Sequence, residues 1–230
     1  MITSSNIRVY KNSGNTTSFN YYSGDIIATE RVIQGSVDDT PTNKTIFIDT
    51  ETSRMTLVDK QKENVAKIGE SQYSSLSEAI KEVPEGEEQT TLIKIIANYD
   101  ITSTDEVINV TDKQKITLDL NGHVVTAYTQ NIINNSGELK IIDSSEAKDG
   151  KLISKFNTGV RNNGEVTLNE GTIQAVRNVI YNTEKSKITI NGGNILVENN
   201  TNYFTYGIVT DHSIIDLKSG NMVINANDSG

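Results

Sequence analysis

Cysteine is absent from the chain, so neither a disulfide framework nor a thiolate metal site is possible. Clusters of lysine and arginine are absent too, and the formal net charge is -9. Proteins bind the phosphates of nucleic acids through such basic clusters, so the composition argues against a nucleic-acid partner. The net negative charge would also disfavour other anionic partners.

Long hydrophobic runs are absent as well. Nowhere do eighteen apolar residues follow one another, so we expect no insertion into a membrane. Residues 1–10 also lack the basic segment and apolar run of a secretion signal. The last residues stop within a repeat and offer no polar cap, so we expect this chain to be a piece of a longer protein.

Apolar residues make up only 35% of the sequence. This fraction is low for a compact α/β enzyme, yet the content of isoleucine, valine and leucine is too high for a disordered chain. A slim, elongated solenoid fits both facts, because its core is narrow and its surface is large.

Residues 1–64 are predicted to form a small all-β region with a linker. Short β-type runs alternate there with turn residues, and the clearest pair, residues 45–49 and 54–58, is expected to form a hairpin. Residues 38–43 contain one of the two prolines of the chain and are expected to be the linker.

One short helix is predicted between residues 70 and 89. Ser75 and Glu78 have the spacing of a capping box, and Pro84 and Gly86 end the run. The apolar residues at helical spacing are Leu76, Ala79, Ile80 and Val83. A helix this short is unstable alone in water, so we expect its apolar stripe to cover the open lower edge of a β-helix.

A strand motif recurs from residue 91 onward, with one polar residue between two apolar ones. It occurs at residues 116–118, 139–141, 166–168, 188–190 and 215–217, at intervals of 23, 27, 22 and 27. A glycine and a second apolar run follow each copy, and a third apolar element closes most coils. This repeat predicts an all-β chain that forms a right-handed parallel β-helix over residues 65–230, with about 25 residues and three short strands per coil. A jelly roll or a β-sandwich remains the alternative.

Strand alternation divides each motif into an inward and an outward set. The apolar residues are expected to stack inside, and the polar residues between them to form an outward ladder of Thr117, Lys140, Thr167, Thr189 and Asp216. The next outward set is Asp119, Ile142, Asn169, Asn191 and Lys218. Acidic residues stack in neither set, so the calcium site of a polysaccharide lyase is not predicted, and Asp119 is expected to be a solvated surface carboxylate.

Paired asparagines occur at two corners of the repeat, Asn134 with Asn135 and Asn162 with Asn163. They are interpreted as hydrogen-bonded ladders between coils rather than as binding groups. Corners also need residues that tolerate a positive φ, which glycine and asparagine supply.

Catalytic residues are not predicted. The best candidate for a pair of hydrolase carboxylates is Asp143 with Glu170, which lie just beyond the same strand in successive coils. Both are expected in charged, turn-like surroundings with nothing to exclude water, so neither should have the raised pKa of a general acid. The only histidines, His123 and His212, fall in different coils, and neither a metal site nor a cofactor site is predicted.

One segment suggests binding. A polar stretch between two strands near the end of the chain contains Tyr203, Phe204 and Tyr206. Aromatic faces beside amide groups are typical of sugar recognition, which combines stacking with hydrogen bonds. These three residues are therefore the candidate contacts for a glycan or for a receptor on a host or cell surface. The alternative is that Phe204 or Tyr206 folds inward and packs within a coil.

Two segments carry a resemblance to a known family. The run from Lys115 to Val125 resembles the opening coil of the pectate-lyase-like β-helices of Gram-positive surface proteins, and residues 75–80 resemble the short helix with which those domains commonly begin. The resemblance covers residues 65–230 and implies a parallel β-helix. It leaves the function open, because the same stack serves lyases, hydrolases, adhesins and phage tail spikes.

A second likeness lies in the N-terminal region, where residues 45–58 resemble the hairpins of phage tail-fibre proteins. We expect a non-catalytic surface adhesin or a glycan- or receptor-binding module that is extracellular, on a bacterial cell surface or a virion appendage. One alternative is a phage tail-fibre or tail-spike protein, for which a homotrimer is expected. Another is a polysaccharide lyase or hydrolase domain whose active residues lie outside this chain.

Overall fold

The computed structural model describes residues 63–102, 106–128, 131–198 and 205–225, together with the backbone of four strands between residues 2 and 59. The chain divides into two compact units, residues 1–62 and residues 63–230. Each unit has its own sheets.

The first unit contains a four-stranded sheet. Its strands are β1 (Ile2–Thr3), β2 (Asp25–Ile27), β3 (Lys44–Asp49) and β4 (Arg54–Asp59), in the spatial order β1-β2-β4-β3. β3 and β4 pair antiparallel along their whole length, with Lys44 opposite Asp59 and Asp49 opposite Arg54, which confirms the predicted hairpin. The linker predicted at residues 38–43 lies outside the described residues.

The second unit is a β-solenoid of about five turns whose coils form three sheets of parallel strands, as predicted, and two antiparallel strands extend the first sheet at its lower edge. The first sheet contains β5 (Ala66–Ile68), β6 (Ser71–Tyr73), β7 (Thr91–Ile95), β10 (Lys115–Asp119), β13 (Glu138–Ile142), β16 (Glu165–Leu168), β19 (Lys187–Ile190) and β22 (Ile214–Leu217). The second contains β8 (Tyr99–Ile101), β11 (Val124–Ala127), β14 (Lys151–Ser154), β17 (Thr172–Ala175), β20 (Asn194–Glu198) and β23 (Asn221–Asn225). The third contains β9 (Ile108–Val110), β12 (Ile133–Asn135), β15 (Val160–Asn162), β18 (Asn178–Asn182) and β21 (Tyr206–Thr210).

Inward aliphatic side chains stack from coil to coil in this unit. In the first sheet Ile116, Leu139, Val166 and Ile188 are in register across neighbouring strands, and all four are buried. Burying each such side chain stabilises the fold by about 1.5–3 kcal/mol relative to leaving it in water. From β7 onward every pair of strands in neighbouring coils is parallel, so the alternative of a jelly roll or a β-sandwich is wrong.

The lower edge of the solenoid is covered by helix α1 (Leu76–Lys81) and by β5 and β6, which pair antiparallel. The Ser75 hydroxyl accepts a hydrogen bond from the Glu78 N–H at 3.1 Å, as the capping box predicts. The Glu78 carboxylate does not return to the cap residue, because it accepts from the Ser74 hydroxyl at 2.8 Å instead. The apolar stripe of α1 is buried, as expected.

Buried Gln114 joins this cap to the first complete coil. Its side-chain amide donates to the carbonyls of Ile80 at 2.8 Å and Val83 at 3.2 Å, which lie at the end of α1 and just beyond it. Its side-chain oxygen accepts from the N–H of Thr111 at 3.0 Å. This glutamine therefore gives the Val83 carbonyl a donor and adds a second donor to the Ile80 carbonyl, which also accepts from the Val83 N–H at 3.1 Å. With six residues, α1 is far shorter than a helix that could cross a membrane, and the described residues contain no such helix.

The glycines at the corners serve two different purposes. Gly122, Gly171 and Gly193 have φ angles of +77°, +81° and +75°, so they supply the predicted left-handed conformation. Gly150 does not have a positive φ. A Cβ atom at Gly150 would lie 2.6 Å from the Cβ of Leu120, so this corner needs glycine because a neighbouring coil approaches closely.

A ladder of fully buried asparagines runs through the third sheet. The Asn135 amide donates to the Asn162 side-chain oxygen at 2.7 Å, and the Asn162 amide donates to that of Asn182 at 2.6 Å. The Asn182 amide, the last of the series, donates to the hydroxyl oxygen of Ser213 at 2.7 Å. The interpretation of paired asparagines as ladders is confirmed, and one member of each pair, Asn135 and Asn162, points inward.

Replacing Asn162 by alanine is expected to lower the free energy of unfolding by about 3–5 kcal/mol, because several buried polar groups lose a partner at once. Those groups include the Asn182 side-chain oxygen and the carbonyl of Lys187. The matched control is Asn163→Ala, because the neighbouring Asn163 is exposed and should cost less than about 1 kcal/mol. Urea denaturation followed by circular dichroism measures both, and equal losses would contradict the role of the ladder.

Candidate functional site

Exposed aromatic side chains gather at one corner of the solenoid, where the chain passes from the second sheet to the third. Tyr128 follows β11, Phe156 lies just beyond β14 and Tyr206 begins β21, and they are 42%, 64% and 51% exposed. In the intervening coil the exposed side chain at this corner is Arg177, between β17 and β18. We call these four residues the aromatic corner.

Strand register brings the four positions to one edge of the solenoid, where they are staggered along the chain. Ala127, Ser154 and Ala175 face one another at the ends of β11, β14 and β17; Tyr128 follows this level directly, and Phe156 and Arg177 follow it by two residues. The N–H of Tyr206 donates to the carbonyl of Arg177 at 2.9 Å, and Tyr206 is paired with Asn178 on the next coil. Successive coils at this edge are separated by about 4.8 Å, the spacing of paired strands.

The outer face of the third sheet continues the site with polar groups. Its outward residues on β9, β12, β15 and β18 are in register and are Asn109, Asn134, Arg161 and Tyr181. The Asn134 amide donates to the Asn109 side-chain oxygen at 3.0 Å. The Arg161 guanidinium carbon lies 5.8 Å from the centre of the Tyr181 ring, within the range of a cation–π contact.

This combination of groups is suited to binding sugars. Pyranose rings present apolar C–H faces that stack on aromatic rings. Their hydroxyls exchange hydrogen bonds with amides and accept them from guanidinium groups. Arg161 and Arg177 are the only arginines after residue 54, and both lie on this side of the solenoid. The surface offers stacking and hydrogen bonds, and the register also brings Lys155 and Glu198 to this edge, directly after Ser154 and Val197.

One of the three sequence-predicted contact residues belongs to this corner. Tyr206 begins a strand and is half exposed, so it does not fold inward as the alternative held. Tyr203 and Phe204 lie outside the described residues, and their role stays a prediction. The sequence reasoning missed Tyr128, Phe156 and Arg177, although each follows the second strand of its coil by one or two residues.

The carboxylate pair considered for hydrolysis is structural. Asp143 is fully buried, so the expectation that nothing excludes water from it is wrong. Its carboxylate accepts hydrogen bonds from the N–H of Gly122 at 2.9 Å, from the N–H of Gly150 at 2.7 Å, and from the Ser145 hydroxyl at 2.7 Å and N–H at 3.1 Å. These donors come from two coils, so Asp143 ties one corner to the next.

Hydrogen bonding also fixes the charge of Asp143. Burial alone would raise the pKa of this carboxyl, but the bonds from Ser145, Gly150 and Gly122 outweigh it and hold the pKa below its usual range. A general acid needs the opposite shift. Glu170 forms an ion pair with the Lys148 ammonium at 3.1 Å and accepts from the Asp143 N–H at 3.3 Å, so both carboxylates take part in contacts within the solenoid.

Asp119 is buried as well, which corrects its prediction as a solvated surface group. Its carboxylate accepts hydrogen bonds from the Ser144 hydroxyl at 2.7 Å, from the Ser144 N–H at 2.8 Å and from the Asn121 N–H at 3.0 Å. The Lys94 ammonium lies 3.7 Å from it and donates to the Ser144 hydroxyl oxygen at 3.3 Å. The outward direction of Asp119 was predicted, but the corner of the next coil covers it.

The two histidines lie far apart around the coil. His123 follows a corner between the first and second sheets and is partly buried. His212 is exposed with a φ of +47°, and its Nδ1 atom lies 2.6 Å from a side-chain oxygen of Asp211. Within the described ranges, no three side chains of metal-ligating type come together.

Comparisons with known proteins add no relative. No protein family, no curated protein sequence and no solved structure matches this chain. The fold and the surface geometry therefore carry the functional argument by themselves.

Asp143→Asn is expected to destabilise the solenoid by about 2–4 kcal/mol near neutral pH, because buried N–H groups lose a charged acceptor. In the unchanged protein the charged carboxylate stabilises the fold fully at pH values above the pKa of this group in the unfolded chain, near 3.8. The stabilisation is lost as the pH falls through the lower pKa that the group has in the folded protein. The variant should therefore lose less stability on acidification. The midpoints of urea denaturation, taken from pH 7 downward, measure this difference, and Asp149→Asn controls for the loss of one charge. If stability fell in parallel with pH for Asp143→Asn and for the unchanged protein, the role of the charged carboxylate would be contradicted.

Proposed function

We propose that this protein is a non-catalytic binding module whose solenoid presents the aromatic corner to a glycan on a cell surface or in an extracellular matrix. The observation that carries the proposal is the placement of the exposed aromatics. Among the six aromatic side chains whose exposure is described in the solenoid, three are exposed, and all three lie at this corner. Apolar surface of this kind is costly to expose in water, which favours a role in binding.

Two further features support binding rather than turnover. The polar groups on the outer face of the third sheet include the amides of Asn109 and Asn134 and the Arg161 guanidinium, which recognise hydroxyl groups without transferring protons at neutral pH. The buried carboxylates Asp119 and Asp143 are taken up by hydrogen bonds within the corners. A rigid stack of in-register coils also holds the contact residues at fixed spacing, so little conformational freedom is lost when a ligand binds.

The biological setting is the outer surface of a cell or a virion. The resemblance of residues 65–230 to the pectate-lyase-like β-helices of Gram-positive surface proteins supports an adhesin on a bacterial surface. A chain without cysteine is compatible with an oxidising exterior.

Replacing Tyr128, Phe156 and Tyr206 together by alanine is expected to lower glycan affinity at least about tenfold, because the stacking surface is lost while the core is unchanged. Binding of the purified protein to a glycan array, followed by titration of the strongest ligand, measures this. The matched control replaces Leu92, Lys140 and Thr167 on the outer face of the first sheet. Unchanged glycan binding by the variant of the aromatic corner would contradict the assignment of the corner as the binding site. A separate variant, with Tyr203, Phe204 and Tyr206 replaced, tests the contact segment that was predicted from the sequence.

A phage tail fibre or tail spike is a second candidate, favoured by the β3–β4 hairpin, whose sequence resembles those of tail-fibre proteins. Such rods associate as trimers around one axis, so this function predicts three copies in solution. Sedimentation equilibrium measures the mass directly. A single species near 25.3 kDa, the mass of one chain, would contradict the tail-fibre candidate and leave the adhesin in place.

A further inference from the structure

We propose that Asn191 is a site of spontaneous deamidation, so that the corner between β19 and β20 is chemically altered before the other corners of the solenoid. Three Asn-Gly pairs occur in the chain, at Asn121, Asn163 and Asn191, and each lies at a corner after a strand. The three pairs share the same covalent chemistry, so the fold decides which of them reacts first.

The reaction needs only the chain and water. The main-chain nitrogen of the glycine attacks the side-chain carbonyl carbon, Cγ, of the preceding asparagine. An N–Cγ bond forms, the Cγ–Nδ2 bond breaks, and the proton of the glycine N–H passes to the departing amide, which leaves as ammonia. Water then opens the five-membered succinimide at one of its two carbonyls and gives aspartate or isoaspartate. Glycine favours the attack because no side chain stands beside its nitrogen.

Hydrogen bonds protect Asn121 most strongly. The glycine N–H must leave its acceptor before the nitrogen can attack, and a charged acceptor holds it more firmly than a neutral one. The Gly122 N–H donates to the buried Asp143 carboxylate at 2.9 Å. The Asn121 amide is held as well, because it donates to the Ile95 carbonyl at 3.1 Å. Both reacting groups of this pair are therefore fixed.

Asn163 is protected by neutral partners. The Gly164 N–H donates to the side-chain oxygen of Asn162 at 3.1 Å, and Asn162 belongs to the buried ladder of the third sheet. The side-chain oxygen of Asn163 accepts from the Thr183 hydroxyl at 2.8 Å. Each reacting group thus has a hydrogen bond of its own, but neither bond involves a charge.

The fold protects Asn191 least. The Gly192 N–H lies 3.3 Å from the carbonyl of Leu168, which already accepts from the Asn191 N–H at 2.9 Å. Releasing the longer of these two bonds leaves the carbonyl satisfied by the shorter one, so little stabilisation is lost. The Asn191 side chain is exposed, and its amide donates to the side-chain oxygen of Asn169 at 2.9 Å on the surface.

Isoaspartate would disturb this corner because it routes the main chain through the side-chain carbon and lengthens it by one atom. The corner has little room for that change, since a Cβ atom at Gly192 would lie 2.3 Å from the main-chain oxygen of Asn169. Strand β20 begins at Asn194, two residues further on, and pairs with β17. We therefore expect this pairing to loosen after the reaction.

Peptide mapping by mass spectrometry, applied to the full chain kept at mildly alkaline pH, measures the rate at each pair. Asn191 is expected to react at least about fivefold faster than Asn163, and Asn163 about fivefold faster than Asn121, because the glycine N–H is held more firmly at each step. In concentrated urea, where these hydrogen bonds are absent, the three rates should converge.

Two outcomes of the mapping would overturn the proposal. The first is a rate at Asn121 or Asn163 in the folded chain that equals or exceeds the rate at Asn191. The second is the same order of rates in urea, because the flanking residues rather than the fold would then set the order.

Hydrogen exchange tests the structural consequence. Protein that carries isoaspartate at position 191, separated by ion exchange through its added negative charge, is expected to exchange the amides of β20 at least about tenfold faster than fresh protein. The matched control is Asn191→Gln kept under the same conditions, because glutamine would have to close a six-membered ring and reacts far more slowly. Equal exchange in the altered and the fresh protein would overturn the expected loosening of β20.

Discussion

Vertical stacking of inward aliphatic side chains is the interaction on which the rest of the molecule depends. Each coil is too thin to bury its own apolar side chains, so Ile116 is shielded by Leu139, and Leu139 by Val166. This requirement fixes the register of neighbouring coils, because a shift of one residue would turn the buried set outward. Helix α1 is needed where the stack begins, since the first coil has no neighbour below it.

Register in turn creates the surface features. A residue at a given place on one coil lies over the equivalent residue of the previous coil, so any side chain that recurs becomes a row. Inside the third sheet the row consists of amides, while the edge next to that sheet gathers rings and a guanidinium at staggered positions. The same stacking of coils therefore produces a stabilising ladder on the inside and a cluster of contact groups on the outside.

The sequence was sufficient for the fold. The recurring motif, the capping residues Ser75 and Glu78 and the hairpin of residues 44–59 depend on local patterns, and each was predicted close to its observed position. The environments of Asp119 and Asp143 were not predictable in the same way. Both side chains lie at corners whose conformation brings donors from another coil over them, and the variable coil length of 22 to 27 residues hides that alignment.

The aromatic corner was not predicted from the sequence, for a related reason. Tyr128 and Phe156 stand alone within polar segments, and nothing near them in the chain marks them as a pair. Only the pairing of Ala127 with Ser154 shows that the two segments share an edge. Tyr206 was recognised because it belongs to a local group of aromatics, although two members of that group lie outside the described residues.

The asparagine ladder gives the solenoid a polarity that limits how such a molecule can grow. Each amide donates to the next coil and accepts from the previous one, and the first side-chain oxygen, that of Asn135, lies over Val110 and has no partner among the described atoms. Gene duplication could insert a coil between residues 135 and 182 without penalty only if the new coil brought its own asparagine in the same orientation. Below Val110 the ladder imposes no such condition, and helix α1 together with Gln114 closes that end of the stack instead.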